Sequence, residues 1–401
     1  DRRVMRPECL EVIQFPPEMF HAGAQVSSGY DAGRERTDLL TSLSRGVQHG
    51  RMPGSQPPRR ATMHDVAREA GVSLKTVSRV VNAEDGVRRE LVERVEAAVR
   101  LLSYQPDDRA RWLRRSSTSP TTIGFIVEDL ANPFFSSVLR GLEDVARRHG
   151  CLVLTGSSDG DADRQEQLIE AFIRRRIGGL VVALCTDGLS ADSRAAIAGT
   201  PLVFVDREPA DQGSFDVVRS DDEAAAYAIT AHVIAHGHRR IGFLGEPASL
   251  DTSARRLAGF SRALSDHGLF ADPEWFCSGH FTPGEWEAVV TRWLTGAAER
   301  PTAIVSAMNY STSGTVRALH RLGLQHDIAL IGIDDIEFSD LVSPAISVWP
   351  QQPREVGVHA GRLIFERIAR PGGESQRIVL SGSIMARGSG ELVAPISTGG
   401  R

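Results

Sequence analysis

Lys75 and Arg79 stand four residues apart in a run that also carries Val77, Val80 and Val81. On a helix that spacing sends both cations from one side, opposite Val77 and Val81. Lysine or arginine so placed can reach guanine O6 and N7 in a DNA major groove, and Leu74 can touch a thymine methyl. Ser78 and Asn82 flank the pair, while Ser73, Thr76 and Asn82 suit phosphates near the helix ends. A solvated charged face would need no more than the same residues. Lys75 is the only lysine in the chain, so the abundant arginine reflects a coding bias and carries no message by itself.

Other candidate chemistry is weaker. Gly156-Ser157-Ser158-Asp159-Gly160 is a GxSxG between a strand and a helix, where a nucleophile elbow with Ser158 would sit. Asp161 and Asp163 follow at once and put negative charge where an oxyanion hole needs positive potential. A polar loop with a capping aspartate explains the motif more simply, and a serine hydrolase using Ser158 stays as an alternative. His236-Gly237-His238 lacks a third metal ligand at suitable spacing. Neither GxGxxG nor GxxxxGK[ST] occurs. The expectation is no catalytic residue, no metal and no cofactor.

These residues need elements to hold them. Thr62 can cap a helix over Met63–Ala70, Gly71-Val72 breaks it, and Ser73 caps the helix that carries Lys75. A third helix runs from about Arg88 to Ser103, with Leu91, Val95, Ala98, Val99 and Leu102 on one face. Two short helices, a tight glycine turn and a longer helix predict a helix-turn-helix unit over residues 61–106. Pro106 closes it. Residues 107–121 follow, with four arginines in Arg109–Arg115 around Trp112 and Leu113; they read either as a short helix against phosphates or as a solvated linker.

Beyond Thr122 short apolar runs, such as Ile123–Val127, Leu180–Leu184 and Ala329–Ile333, alternate with amphipathic helical patterns. That predicts parallel sheets flanked by helices, an α/β core over residues 122–390. Its length favours two similar lobes, with ligands beyond the carboxyl ends of the strands. Residues 391–401 read as a flexible tail.

The 401 residues allow two or three domains, and 41% hydrophobic with 24% charged residues is ordinary globular chemistry. A net charge of −5 means that any nucleic-acid binding comes from a local patch. No run reaches the roughly 18–20 apolar residues of a membrane span. Cys9, Cys151, Cys185 and Cys277 lie far apart, which excludes a zinc ribbon or disulfide scaffold and fits a reducing cytoplasm. Residues 1–60 are punctuated by proline, glycine and serine and lack a secretory pattern, so they read as a disordered extension or as translated sequence upstream of the true start, for which Met52 and Met63 are candidates.

The stretch from Thr62 to Asn82, with Thr62-Met63-His64-Asp65-Val66-Ala67 and Val72-Ser73-Leu74-Lys75-Thr76-Val77-Ser78-Arg79, closely resembles the DNA-binding signature of the lactose/galactose repressor (LacI/GalR) family. The likeness continues at Arg111-Trp112-Leu113-Arg114, Asn132-Pro133-Phe134-Phe135, Val205-Asp206-Arg207, Arg256-Leu257-Ala258-Gly259-Phe260 and Gly332-Ile333-Asp334-Asp335, covering about residues 61–390. The resemblance implies a cytoplasmic, nucleoid-associated homodimer that reads a palindromic operator in double-stranded DNA. It implies a hinge helix over 107–115, with Leu113 wedged into the minor groove and Arg111 and Arg114 as contacts beside it. For the core it implies a two-lobed, periplasmic-binding-protein-like body closing on a small effector, a sugar or related metabolite. Asp206, Arg256 and Asp334 would then be the polar clamp, Phe134 and Phe281 the stacking aromatics and Thr252 an accessory donor. The whole reads as an effector-controlled transcription repressor; a solute-binding receptor would share the core but not the headpiece. Two departures bear on the effector. Ala307-Met308-Asn309 stands where many relatives have Ala-Asn-Asp, and Ser220 stands where an aspartate is common.

Overall fold

Thr62 opens the first helix by a reciprocal cap: its side chain accepts from the Asp65 backbone, and the Asp65 carboxylate accepts from the Thr62 backbone at 2.9 Å. The computed structural model describes residues 61–81, 84, 86–104, 122–210, 213–296 and 299–395. The expected extension over 1–60 and the expected hinge helix over 107–115 lie outside the described residues. The chain divides into two units, Asp1–Arg114 and Arg115–Arg401.

In the first unit α1 spans Met63–Ala70, α2 Leu74–Val81 and α3 Arg89–Leu101. Gly71 ends α1 in the left-handed region at φ 62°, a conformation that costs a side-chain-bearing residue about 1 kcal/mol or more. The Arg94 guanidinium reaches back from α3 to the carbonyls of Ala70 and Gly71, at 2.6 and 3.3 Å, and fastens the turn. Val66, Ala67, Ala70, Val77, Val95, Ala98 and Tyr104 form a small closed core. Burial of the α2 valine at 77 therefore fixes which side of α2 stays outside.

The second unit starts with β1 (Thr122–Val127), α4 (Pro133–Arg148), β2 (Leu152–Ser157), α5 (Ala162–Arg174), β3 (Leu180–Val182), α6 (Ala191–Ala196), β4 (Leu202–Val205) and β5 (Asp216–Ser220). It continues with α7 (Asp222–Ala235), β6 (Ile241–Gly245), α8 (Asp251–Asp266), β7 (Phe276–Ser278), α9 (Pro283–Thr295), β8 (Ala303–Ser306) and α10 (Asn309–Leu322). It ends with β9 (Ala329–Ile333), β10 (Ser347–Trp349), α11 (Pro353–Ala369) and β11 (Arg377–Leu380).

Two all-parallel sheets result, in the orders β11-β5-β4-β3-β1-β2 and β10-β9-β8-β6-β7. Apart from β11, the second sheet repeats the first strand for strand. Central strands such as β8 and β9 are buried along their whole length, as sheets covered on both faces require. α4 and α11 cover one face of the first sheet, α5 and α6 the other. α7 and α8, then α9 and α10, do the same for the second.

The chain passes between these lobes at Asp221, which leads from β5 into α7, and at Gln351, which leads from β10 towards α11. It returns after β11, where Met385 and Val348 exchange backbone hydrogen bonds of 2.7 and 3.1 Å. Residues 391–394, expected to begin a flexible tail, instead belong to the second lobe. Leu392 and Glu391 accept from His238 and His232, and the Ala394 amide donates to the His236 carbonyl. The segment is held there because Leu392 packs on the core of the second lobe and the Ala394 amide satisfies the end of α7.

Candidate functional site

On α2 the buried residue is Val77, while Ser73, Leu74 and Lys75 are exposed and Thr76, Ser78 and Arg79 half-buried. Ser73 caps the helix, accepting from the Thr76 amide at 3.1 Å, and its hydroxyl pairs with that of Thr76 at 2.9 Å. The two hydroxyls thus serve the helix start first. Arg79 Nε lies 3.7 Å from Glu84. Asn82, Arg111, Leu113 and Arg114 lie outside the described residues.

The second candidate is a cleft of about 540 Å³ between the lobes, and it is lined by all six residues proposed from the sequence: Phe134, Asp206, Thr252, Arg256, Phe281 and Asp334. Phe134 comes from the first turn of α4, where Asn132 caps the helix by accepting from its amide at 3.0 Å. Phe281 packs edge-on against Trp286 with ring centroids 4.9 Å apart. Asp206 and Asp334 directly follow β4 and β9. Burial pushes the Asp206 carboxyl up to about 7 against the pull of Arg207, and the Asp334 carboxyl up to about 6 against that of Arg256.

Arg256 is 5% exposed and already engaged. Its Nε and Nη2 meet Asp222 Oδ1 at 2.8 and 2.7 Å, and Nη1 donates to the Ala307 carbonyl at 2.7 Å. Burial alone would lower its pKa, but Asp222 and Asp334 outweigh that and hold it charged. Its first task is therefore to tie α8 to α7 and to the end of β8.

Several lining residues were not anticipated. Arg207, 3% exposed, donates to the Leu184 carbonyl at 2.7 Å, meets Glu128 at 2.6 Å and reaches Glu246 of the other lobe at 3.4 Å. Tyr310 donates across the cleft to Asp129 at 2.9 Å, and Asn309 Nδ2 donates to Asn132 at 2.7 Å. Burial and Asp129 push the Tyr310 phenol up to about 12. The departure at Ala307-Met308-Asn309 thus puts Met308 into the apolar core of the second lobe and gives Asn309 a partner in the first. Asn309 Oδ1, Gln351 Oε1 and Thr252 Oγ1 are buried without a partner among the described residues. A position within two residues of a strand's carboxyl end was the available signal for Glu128, Arg207 and Glu246; Gln351 sits on a crossover that no local pattern announces.

The decoys resolve. Ser158 is fully buried and its hydroxyl donates to the Val127 carbonyl at 3.2 Å, so it cannot present a nucleophile. Both ring nitrogens of His238 are engaged, by Thr302 at 2.9 Å and the Leu392 carbonyl at 2.8 Å, and burial lowers its pKa. Glu128, Glu246 and His280 bring possible ligand atoms within 4.8 Å of one another, but Arg207 already serves the two carboxylates as counter-ion.

Residues 62–107 match the bacterial regulatory proteins of the lacI family, and residues 230–390 match the periplasmic binding protein-like domain. The ribose operon repressor of Escherichia coli (strain K12) is 32% identical over 334 residues, which is 82% of this chain and 99% of that protein. The chain belongs to the LacI family. Among solved structures, the lac repressor dimer bound to operator and the anti-inducer ONPF has 25% identity and a TM-score of 0.72, covering 84% of this chain and all 100% of that one. A LacI-family regulator of Enterococcus faecium with bound ribose has 25% identity and a TM-score of 0.61, covering 69% and 100%. Membership makes this LacI-family chain a DNA-binding regulator with an effector-binding core. No helix among the described residues is long and apolar enough to cross a membrane.

Proposed function

We propose that the chain is a cytoplasmic, non-enzymatic repressor: a homodimer that reads a palindromic operator through paired α2 helices, its affinity set by a sugar-like effector held between the lobes. Lys75 and Arg79 read guanines, Leu74 and Ser78 flank them, and Ser73, Thr76 and Asn82 position the helix on phosphates. Leu113, Arg111 and Arg114, which lie outside the described residues, take the minor-groove contacts in this reading.

The observation that carries the reading is convergence. Residues from well-separated stretches of sequence meet in one cleft, and what they offer is chiefly hydrogen-bond acceptors, the Asp206 and Asp334 carboxylates and the unpartnered oxygens of Asn309 and Gln351, with the Thr252 hydroxyl able to donate or accept. A polyhydroxylated ring brings the matching donors, and Phe134 and Phe281 offer apolar faces to its carbons. That the E. coli relative is named for the ribose operon, and that the E. faecium neighbour holds ribose, supports a monosaccharide of that size.

Thermal-shift titration of the full chain with sugars, polyols and nucleobases tests the effector half, since a ligand of the folded state raises the melting temperature by mass action. A sugar is expected to do so; stabilisation by nucleobases alone would contradict it. For the DNA half, Arg79→Ala should lose sequence preference and keep weak, salt-sensitive binding. An unchanged preference in competition gel shifts would contradict the assignment.

A further inference from the structure

The cleft has a pronounced charge asymmetry. Glu128, Asp129, Asp159, Asp206, Glu246 and Asp334 line it, against Arg207, Arg256 and His280 among the described lining residues. Neither guanidinium is idle. Arg256 is committed to Asp222 and the Ala307 carbonyl, and Arg207 to Glu128, Glu246 and the Leu184 carbonyl. His280 is mostly exposed and lies 3.8 Å from Glu128. Helix starts without a side-chain cap stand near the cleft at α8, α10 and α11; the first turns of α8 and α11 carry Asp251 and Glu355, and at α10 Asp129 already accepts from Tyr310. Among the described lining residues, an incoming anion would find no cation without a carboxylate already beside it.

From this we infer that the effector is uncharged or cationic, and that the cleft rejects phosphate esters and acids of the sugar it accepts. The inference rests on the cleft being the effector site and deepens that reading.

Isothermal titration of the full chain with matched sets tests this: ribose and other aldoses, each beside its phosphate ester and its aldonic acid. An uncharged member should bind on the order of a hundredfold or more tighter than its charged partners. Glu246→Gln and, separately, Asp129→Asn should each shrink that ratio about tenfold by removing one carboxylate. An ester or acid binding within tenfold of its parent sugar would overturn the inference while leaving the sugar-effector reading in place. A ratio unchanged in both variants would also overturn it, because selection would then not come from charge. Silence from every sugar, charged or not, would sink the effector reading and this inference together.

Discussion

Asp206 and Asp334 are the same residue of the two repeats. Each follows the equivalent strand of its lobe, β4 or β9, and each holds a left-handed backbone, at φ 67° and 72°. Each donates its amide at 3.0 Å to a carbonyl of the neighbouring strand, Val218 of β5 or Trp349 of β10. A left-handed non-glycine residue costs of order 1 kcal/mol or more, and here it turns both carboxylates into one cleft from opposite sides.

That pairing should make ligand binding in the cleft depend on pH. Folded values of about 7 for Asp206 and about 6 for Asp334 lie above the unfolded value near 3.9. Between those limits the folded chain holds protons that the unfolded chain has released. Stability from the pair is therefore fully present below about pH 4 and is lost as pH rises through about 6–7. A ligand hydroxyl donating to either carboxylate favours its ionised form, so affinity moves the other way. Binding should be on the order of tenfold weaker at about pH 5.5 than at about pH 8, and Asp206→Asn should flatten the curve. Titration calorimetry across that range checks it; a flat wild-type profile would contradict the role of the pair.

Arg256 is a structural cation as well as a lining residue. Arg256→Met strips Asp222, itself 1% exposed, of its counter-charge and should cost about 3–5 kcal/mol in urea unfolding. Replacing Asp222 with leucine in the same chain should recover most of that, since the uncompensated charge goes with it. A loss below about 1 kcal/mol for the single variant would show that the pair is not held as described.

α4 and α11 cross at glycines. A Cβ on Gly357 would stand 1.9 Å from the Val138 carbonyl oxygen, and one on Gly141 would stand 2.1 Å from that of Arg354. Gly357→Ala should therefore destabilise the core by about 1–3 kcal/mol, against the usual helix gain of about 1 kcal/mol for this exchange. Gly284, in α9 with open space around it, should show that usual gain instead. Denaturant midpoints compare the two, and a stabilising Gly357→Ala would refute the close crossing.

Legibility in the sequence followed burial. Strands such as β4 and β9, apolar from end to end, announced themselves, and so did the three helices around Gly71, through caps and spacing. β5 was hidden because Asp216 and Arg219 interrupt its valines, and β7 and β10 because three residues carry no period. β11 alternates exposed and half-buried residues at a sheet edge. In the cleft, residues within family-like motifs were visible. Tyr310 and Gln351 were not, because each matters through a partner or a crossover on the other lobe that only the folded chain brings near.

The central claim is sequence-specific DNA recognition under the control of the cleft. Selection from a pool of random duplexes by the full-length chain, with and without the stabilising sugar, measures both halves at once. The account predicts enrichment of one palindrome whose retention the sugar changes. Equal recovery of every duplex, indifferent to the sugar, would contradict it.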